Sequence, residues 1–137
     1  MRHIGLLCTL LSLAILLSAC GISSDVSGED LVRTEWVLIS LNGAAPVRGA
    51  AVALNFFEDR LNGTTGCNMY NADYRVDGKM LSVDVTAITV QACLEPKGIM
   101  EQEAIYMEIM RDVITFGIEK GQLHLETLDG RYLLFRK

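Results

Sequence analysis

Residues 62–68 read Asn-Gly-Thr-Thr-Gly-Cys-Asn, and the rest of the chain is best understood from this stretch outward. Two glycines and two asparagines in seven residues are typical of a backbone that turns tightly or adopts positive φ. A second short stretch downstream, residues 89–93, reads Thr-Val-Gln-Ala-Cys and supplies a matching cysteine. The pair of stretches predicts a loop of defined shape, which either holds a ligand or closes the fold.

The beginning of the chain has the organisation of a bacterial lipoprotein leader. After a positively charged start, residues 4–17 form an apolar run that is too short to be a comfortable permanent membrane span. Leu17-Ser18-Ala19-Cys20 follows and resembles the lipobox, in which a peptidase cuts before a lipid-bearing cysteine. We expect residues 1–19 to be a signal peptide and Cys20 to be lipidated. An ordinary secretory peptide cut near Ala19, or an uncleaved anchor, is the alternative.

Such an anchor predicts both a partner and a location. Two or three acyl chains on Cys20 would hold the protein to a membrane stably, whereas one chain is marginal at ~0.8 kcal/mol per buried methylene. Gly21 stands where lipoproteins retained in the inner membrane carry Asp, which favours the outer membrane, facing the periplasm. Residues 20–30 are then the lipidated cysteine and a flexible tether, whose nine-residue coil spans roughly 15–18 Å. Residues 31–137 form one domain.

The charge of the chain argues against several classes of partner. The net charge is −5, and removing residues 1–19 takes away Arg2 and leaves 11 basic and 17 acidic residues, a net charge of −6. Nucleic acid binds such a surface poorly, and neither a basic stripe nor an aromatic stacking platform is present in the sequence. We expect no nucleic-acid partner, an unidentified envelope protein or ligand, and a monomer.

The cysteines predict a cross-link. Cys8 leaves with the leader and Cys20 becomes the anchor, so Cys67 and Cys93 remain in an oxidising compartment. A cysteine pair there is more often a disulfide than a metal or catalytic site, with a reactive thiol as the alternative. Zinc needs more ligands than two sulfurs, and His124, the one histidine beyond the leader, alternates onto a wet face. We expect a disulfide, no metal and no cofactor.

Most of the domain has the two-residue period of β-strands, and one segment has the period of a helix. Alternation predicts strands at residues 36–41, 52–57, 72–76, 81–86, 114–118, 123–126 and 132–135, with turns at Asn42-Gly43 and Asp77-Gly78. After Cys93 the period becomes 3.6 and predicts one α-helix over about residues 97–112, with Pro96 as a first-turn residue. The pattern indicates an α+β, mostly β fold: a small antiparallel curled sheet or partly open β-barrel covered by one helix.

Glu103 is unusual within the predicted helix. One arc of that helix is apolar and consists of Ile99, Met100, Tyr106, Met107, Met110 and Val113. Glu103 lies in this arc, where an ionised carboxylate is costly unless it accepts hydrogen bonds. Since a disulfide would hold the helix near Cys67, we hypothesise that Glu103 accepts hydrogen bonds from residues 63–68; exposure to water at a frayed first turn is the alternative. The name latch is used below for Gly63, Thr64, Thr65, Gly66, Asn68 and Glu103.

No arrangement in the sequence predicts catalysis. Thr64 and Thr65 have no neighbouring histidine or lysine, and turn hydroxyls are the commoner interpretation. The glycines of residues 63–66 are followed by neither the lysine nor the helix of a phosphate-binding loop. Methionines at helical spacing are usually core residues rather than copper ligands or a partner groove. We therefore expect a protein that is not an enzyme.

The order of these features resembles one known family. The residues that carry this resemblance are Trp36 with Leu38, Gly63 to Asn68, Tyr74, Thr89 to Cys93, Glu103 and the Leu123-x-Leu125 strand. Together they are similar to the META domain of HslJ-like bacterial lipoproteins over roughly residues 31–137, most distinctively in the Gly-Cys-Asn and Ala-Cys segments. The resemblance implies a compact β-rich fold with one helix, no established catalytic activity, no catalytic residues to transfer, and a loose link to envelope stress and heat response.

The expected function is therefore a lipid-anchored envelope module that binds or stabilises a partner without catalysis. One alternative is an inhibitor or carrier similar to the lysozyme-inhibitor lipoproteins, which are also small anchored β-barrels. That alternative requires the loop of residues 63–68 to face solvent, whereas the Glu103 hypothesis requires it to be covered. A hydrolase is the second alternative, and the absence of an acid, base and nucleophile set from the sequence argues against it.

Overall fold

Alternation of apolar and polar residues produces eight extended strands in residues 26–137, the part of the chain that the computed structural model describes. A 3-10 turn at Gly28–Asp30 precedes them. The elements are β1 Thr34–Leu41, β2 Ala53–Phe56, β3 Arg60–Thr64, β4 Met69–Asp77, β5 Met80–Ile88, α1 Ile99–Asp112, β6 Val113–Glu119, β7 Gln122–Thr127 and β8 Tyr132–Arg136.

Each strand pairs antiparallel with the next, and β8 pairs with β1, so the sheet closes into a barrel. This confirms the mostly β fold class with one helix; the barrel is closed rather than partly open. The seam between β5 and β6 is nevertheless thin. It has one pair in register, Met80 with Thr115, and next to that pair the Phe116 N–H donates to the Lys79 carbonyl at 3.1 Å. In the chain, α1 is inserted between these two strands.

The barrel interior is a packed core. Alternate residues of the strands point inward, as the period of two requires, except where β-bulges in β1, β5 and β6 shift the alternation. The largest of these fully buried side chains are Trp36, Tyr70, Phe56, Phe135, Leu54, Leu61, Leu81 and Leu123. Interdigitated side chains of this size fill the centre, so the positions left for recognition lie on the outer wall and at the two ends.

The helix α1 lies across one end of the barrel, which we call the helix end. It begins at Ile99 rather than at residue 97, because Gly98 adopts φ +90° as its N-cap and Pro96 lies in the turn before it, not in the first turn. Its buried face differs slightly from the predicted arc. Met100 is 37% exposed, while Ile109 is fully buried against the core.

The described chain starts at the opposite end, which we call the hairpin end because it holds the β4–β5 turn at Gly78. Leu31 is fully buried there, and Gly28 packs against Val76. Val26 borders a surface groove beside Lys79. The predictions for the leader, Cys20 and most of the tether fall on residues 1–25, outside the described residues. Within residues 26–137 no helix is long and apolar enough to cross a membrane.

Candidate functional site

Residues 62–64, which include Gly63 and Thr64 of the latch, are part of a strand, contrary to the prediction of one continuous loop over residues 62–68. Asn62, Gly63 and Thr64 complete β3 and pair with β2 and β4. Gly63 is required for close approach rather than for positive φ, since a Cβ there would lie 2.5 Å from both the Ala53 carbonyl oxygen and the Tyr70 hydroxyl. Only residues 65–68 form the turn, and the sequence pattern could not separate these two uses of glycine.

The space left by Gly63 admits a buried pair of tyrosines. The hydroxyls of Tyr70 on β4 and Tyr106 on α1 are 2.6 Å apart and hydrogen bonded. Burial raises the pKa of Tyr70, an effect that its hydrogen bond to Tyr106 partly offsets. Burial, together with the proximity of Tyr70, also raises the pKa of Tyr106. Both rings therefore stay neutral and join the barrel wall to the helix.

Residues 65–68 turn around one threonine hydroxyl. The Thr65 N–H donates to the Asn68 carbonyl at 2.8 Å, and Thr65 Oγ1 accepts from the Asn68 N–H at 2.9 Å. Gly66 adopts φ +94°, and its N–H donates to Thr64 Oγ1 at 3.1 Å. Thr65 and Asn68 are buried. The loop therefore lacks the solvent-facing tip that the inhibitor or carrier alternative needs at residues 63–68.

Glu103 reaches this turn from the first half of α1. Asn68 Nδ2 lies 2.9 Å from each carboxylate oxygen of Glu103, and the Thr65 hydroxyl also donates to Glu103 Oε2. The carboxylate is half-buried. Accepted hydrogen bonds are what a carboxylate in an apolar arc requires, so the helix and the turn meet through Glu103 rather than leaving it in water.

Asn68 also holds the second stretch, residues 89–93. Its Oδ1 accepts from the Gln91 N–H and from the Thr89 hydroxyl, both at 2.8 Å, and its Nδ2 donates to the Gln91 carbonyl at 3.1 Å. One carboxamide thus joins three segments: the turn, the loop after β5 and the helix. The sequence pattern identified Asn68 as part of a loop, but the number of its partners depends on the tertiary structure.

The two cysteines form a disulfide beside Asn68. Cys67 and Cys93 have their Cα atoms 5.9 Å apart and are separated by 26 positions in the chain. The distance is ordinary for a disulfide. The cross-link ties the loop after β5 to the turn at the same place as the Asn68 carboxamide, so the helix end has two independent connections between these segments.

A buried glutamine completes the site and is not identified by the sequence pattern. Gln102 Oε1 accepts from the Val47 N–H at 2.6 Å, and its Nε2 donates to the carbonyls of Ala50 at 3.2 Å and Thr65 at 3.3 Å. Gln102 therefore fixes the segment between β1 and β2 to the helix. The available signal was a glutamine next to Glu103 on an otherwise apolar face.

The chemistry of this site is that of a structural joint. The Thr65 hydroxyl is buried and its partners are a carboxylate and backbone groups, which leaves it inaccessible to a substrate. His124 is half-exposed and lies 3.9 Å from Glu126, far from Thr65 in the strand order. Among residues 26–137 no group of three His, Cys, Asp or Glu side chains could hold a metal ion.

Three solved structures have a fold similar to that of this chain. A protein from Burkholderia xenovorans, solved by NMR, is 28% identical with a TM-score of 0.61 and covers 79% of this chain and 83% of its own. A second protein solved by NMR is 22% identical with a TM-score of 0.62, and the match covers 81% of this chain and 94% of that protein. The crystal structure of a DUF4847 family protein from Bacteroides vulgatus is 11% identical with a TM-score of 0.62, and the match covers 79% of this chain and 94% of that protein. The last two likenesses concern the fold alone.

Sequence comparison assigns the family. No curated protein matches the chain significantly. The META domain model matches residues 29–137, which include all eight strands, the helix, the disulfide and the latch. The match agrees with the resemblance in the Gly-Cys-Asn and Ala-Cys segments, which the structure brings together at the helix end. The chain belongs to the META domain family.

Proposed function

We propose that this chain is a lipid-anchored module of the bacterial envelope that binds or stabilises a partner and performs no catalysis. Three observations support the proposal: the lipobox-like segment ending at Cys20, a barrel whose interior is packed, and a polar site whose groups are bonded to one another. A disulfide between Cys67 and Cys93 is typical of an oxidising compartment such as the periplasm.

The observation that carries the proposal is the position of the first described residues relative to the latch. Val26 and Gly28 lie at the hairpin end, whereas residues 65–68 and 89–93 lie at the helix end. Cys20 precedes Val26 by six residues, which reach about 20 Å at most when fully extended. A lipid on Cys20 would therefore keep the hairpin end near the membrane and direct the helix end away from it.

The outward end offers a contact surface. Val90 is 94% exposed and Leu94 is 87% exposed, although the loop that carries them is held by the disulfide and by Asn68. Apolar side chains on a rigid loop lose little conformational entropy when they meet a partner. We propose an outer-membrane location facing the periplasm, a monomeric state and a role in envelope stress as parts of the same function.

Metabolic labelling tests the anchor. Cells that express the chain are grown with an alkyne fatty acid, and the labelled protein is followed in membrane and soluble fractions. We expect labelling and membrane association for the original chain and for Cys8→Ser, which is the matched control because Cys8 lies within the leader. Cys20→Ser is expected to lose both. Label retained on Cys20→Ser, or absent from the original chain, would overturn the lipid anchor.

A further inference from the structure

Three asparagine side chains form a row on the outer wall of the barrel. Asn55 on β2 is in register with Asn62 on β3, and Asn62 is in register with Asn71 on β4. Asn55 Nδ2 donates to Asn62 Oδ1 at 3.0 Å. We call these three residues the carboxamide row; it lies on the side wall and shares no residue with the latch.

A β-bulge shapes the wall next to the row. Asn71 pairs with Ala87 and Ala72 pairs with Val85, which leaves Thr86 as the extra residue of β5. The Thr86 hydroxyl donates to the Asn71 carbonyl at 3.2 Å. Bulges redirect side chains and are common beside binding sites. Here the bulge places the Thr86 hydroxyl beside Asn71 on the outer surface.

The row borders a groove of about 340 Å³. The groove is lined by Asn62, Asn71 and Thr86. Phe57, at the β2–β3 turn, also lines it and is 48% exposed. The volume lies within the range of small-ligand sites, near its lower limit. An exposed aromatic ring and two of the three carboxamides therefore share one groove, and Asn55 continues the row beyond it.

The row has unused hydrogen-bonding capacity. Within residues 26–137 the Asn71 carboxamide makes no hydrogen bond, and the one bond of the Asn62 side chain uses its oxygen and leaves its Nδ2 free. A carboxamide offers two donors and an acceptor with two lone pairs. Both donors and acceptors are thus presented to whatever occupies the groove.

The residues that line the groove include one basic and one acidic side chain. Residues 61–72 and 86–94 include no charged side chain, in a chain of which 21% is charged. Arg60 and Asp73, at one end of the groove, are of opposite sign and face each other in register. The lining of the groove therefore carries no net charge. Glu35 beside Asn55 and Asp84 beside Asp73 make its margins acidic, which disfavours an anion.

We propose that the carboxamide row, Thr86 and Phe57 bind a segment of an uncharged glycan. Each sugar hydroxyl is both a donor and an acceptor, which matches the carboxamides and the threonine hydroxyl. The apolar C–H face of a pyranose ring packs on an aromatic face, and Phe57 supplies one. This inference rests on the proposed binding function in the envelope and gives it a ligand class.

Titration by NMR tests the inference. The full-length chain, in a detergent without a sugar headgroup, is titrated with a neutral β-1,4-linked N-acetylglucosamine tetramer and separately with an oligogalacturonate. We expect saturable shifts of the side-chain amides of Asn62 and Asn71 with the neutral glycan only. Asn71→Ala is expected to weaken binding about fivefold, the effect of one net hydrogen bond. The matched control Gln122→Ala removes an exposed carboxamide from β7, away from the groove, and leaves affinity unchanged.

Several results would overturn the inference. One is a folded spectrum that shows no shifts at saturating glycan. Another is that Asn71→Ala and Gln122→Ala weaken glycan affinity equally. A third is that the shifts are confined to residues 89–94. Equal binding of the charged oligomer would exclude selection of a neutral ligand. The fatty-acid labelling of Cys20 is independent of this titration, so failure of the glycan site and failure of the membrane anchor give different results.

Discussion

At the scale of single residues, the helix end depends on one buried carboxamide and one carboxylate. Asn68 contacts Glu103 through Nδ2 and the Gln91 backbone through both of its side-chain polar atoms. Buried polar groups of this kind are costly when one partner is removed, because the other loses its hydrogen bond without regaining water. Because each of these polar groups needs its partner, the turn, the loop after β5 and the helix are held in one arrangement.

Replacement of Glu103 should destabilise the domain more than replacement of a neighbouring acid. Glu103→Ala removes the acceptor for Asn68 Nδ2 and the Thr65 hydroxyl, and we expect a loss of about 2 kcal/mol in the free energy of unfolding, as for hydrogen bonds to charged groups. Glu101→Ala is the matched control, since Glu101 is exposed on the same helix and should change stability by less than about 0.5 kcal/mol. Urea unfolding measures both.

A double-mutant cycle isolates the contact itself. If Asn68 and Glu103 act together, Asn68→Ala combined with Glu103→Ala should cost less than the sum of the single changes by about 1 kcal/mol. Additive losses would contradict a coupling between Asn68 and Glu103. Equal losses for Glu103→Ala and Glu101→Ala would show that Glu103 does not stabilise the turn.

At the scale of elements, the far end of α1 is held by one arginine. Arg131, in the β7–β8 turn, contacts Glu108 at 2.7 Å and Asp112 at 2.8 Å on the helix, and Asp129 at 2.9 Å in its own turn. Hydrogen bonds to Asp112 and Asp129 raise the pKa of Arg131. The helix is therefore attached at both ends, by the latch and Gln102 near its start and by Arg131 near its last turn.

Stability should decrease in acid partly through Asp129. Hydrogen bonds from the Thr127 hydroxyl and from Arg131 lower the pKa of Asp129 from 3.8 to about 2. Because the folded-state pKa is the lower one, this contribution is present above about pH 4 and is lost as the pH falls through 2. We expect Asp129→Asn to flatten the dependence of the urea midpoint on pH between 4 and 2.

The control for that measurement is Asp84→Asn. Asp84 is exposed and makes no ion pair within residues 26–137. It should leave more of the acid dependence intact than Asp129→Asn does. Identical pH profiles for the two variants would contradict the assignment of this dependence to Asp129.

At the scale of the whole molecule, the barrel closes through a thin β5–β6 seam and depends on cross-connections at the helix end. The disulfide acts on the unfolded chain, since a cross-link between Cys67 and Cys93 closes a loop of 26 positions. In the chain-entropy model such a loop contributes about 3.5 kcal/mol. The latch and Gln102 act on the folded chain, so the two contributions are separate.

Loss of the disulfide should therefore lower stability without removing the fold. Cys67→Ser combined with Cys93→Ser is expected to reduce the free energy of unfolding by about 3 kcal/mol, less any strain released. Circular dichroism of the variant should retain the β-rich spectrum, because Asn68 still joins the same segments. Dithiothreitol should destabilise the original chain and leave the double variant unaffected. Equal unfolding midpoints for the original chain and the variant would show that the disulfide does not stabilise the domain.

The sequence by itself determined seven of the eight strands, the helix and the cysteine pair; it missed β3, whose glycine and asparagine are typical of a turn. These depend on local alternation, on the change of period after Cys93 and on a count of cysteines, all of which are readable over a few neighbouring residues. Residues such as Leu123 and Leu125 are predicted inward for this reason, and both are fully buried. The placement of Glu103 within an apolar arc likewise suggested a polar partner before any contact was known.

The tertiary structure alone decided how these parts meet. Gly63 is needed for the approach of Tyr70 from the neighbouring strand, Asn68 joins three segments, and Gln102 reaches backbone groups more than 30 positions away. Closure of the barrel and the register of the carboxamide row likewise depend on strand pairing. Such contacts depend on long-range geometry, and a residue's neighbours in the chain carry no information about which distant backbone group will face its side chain.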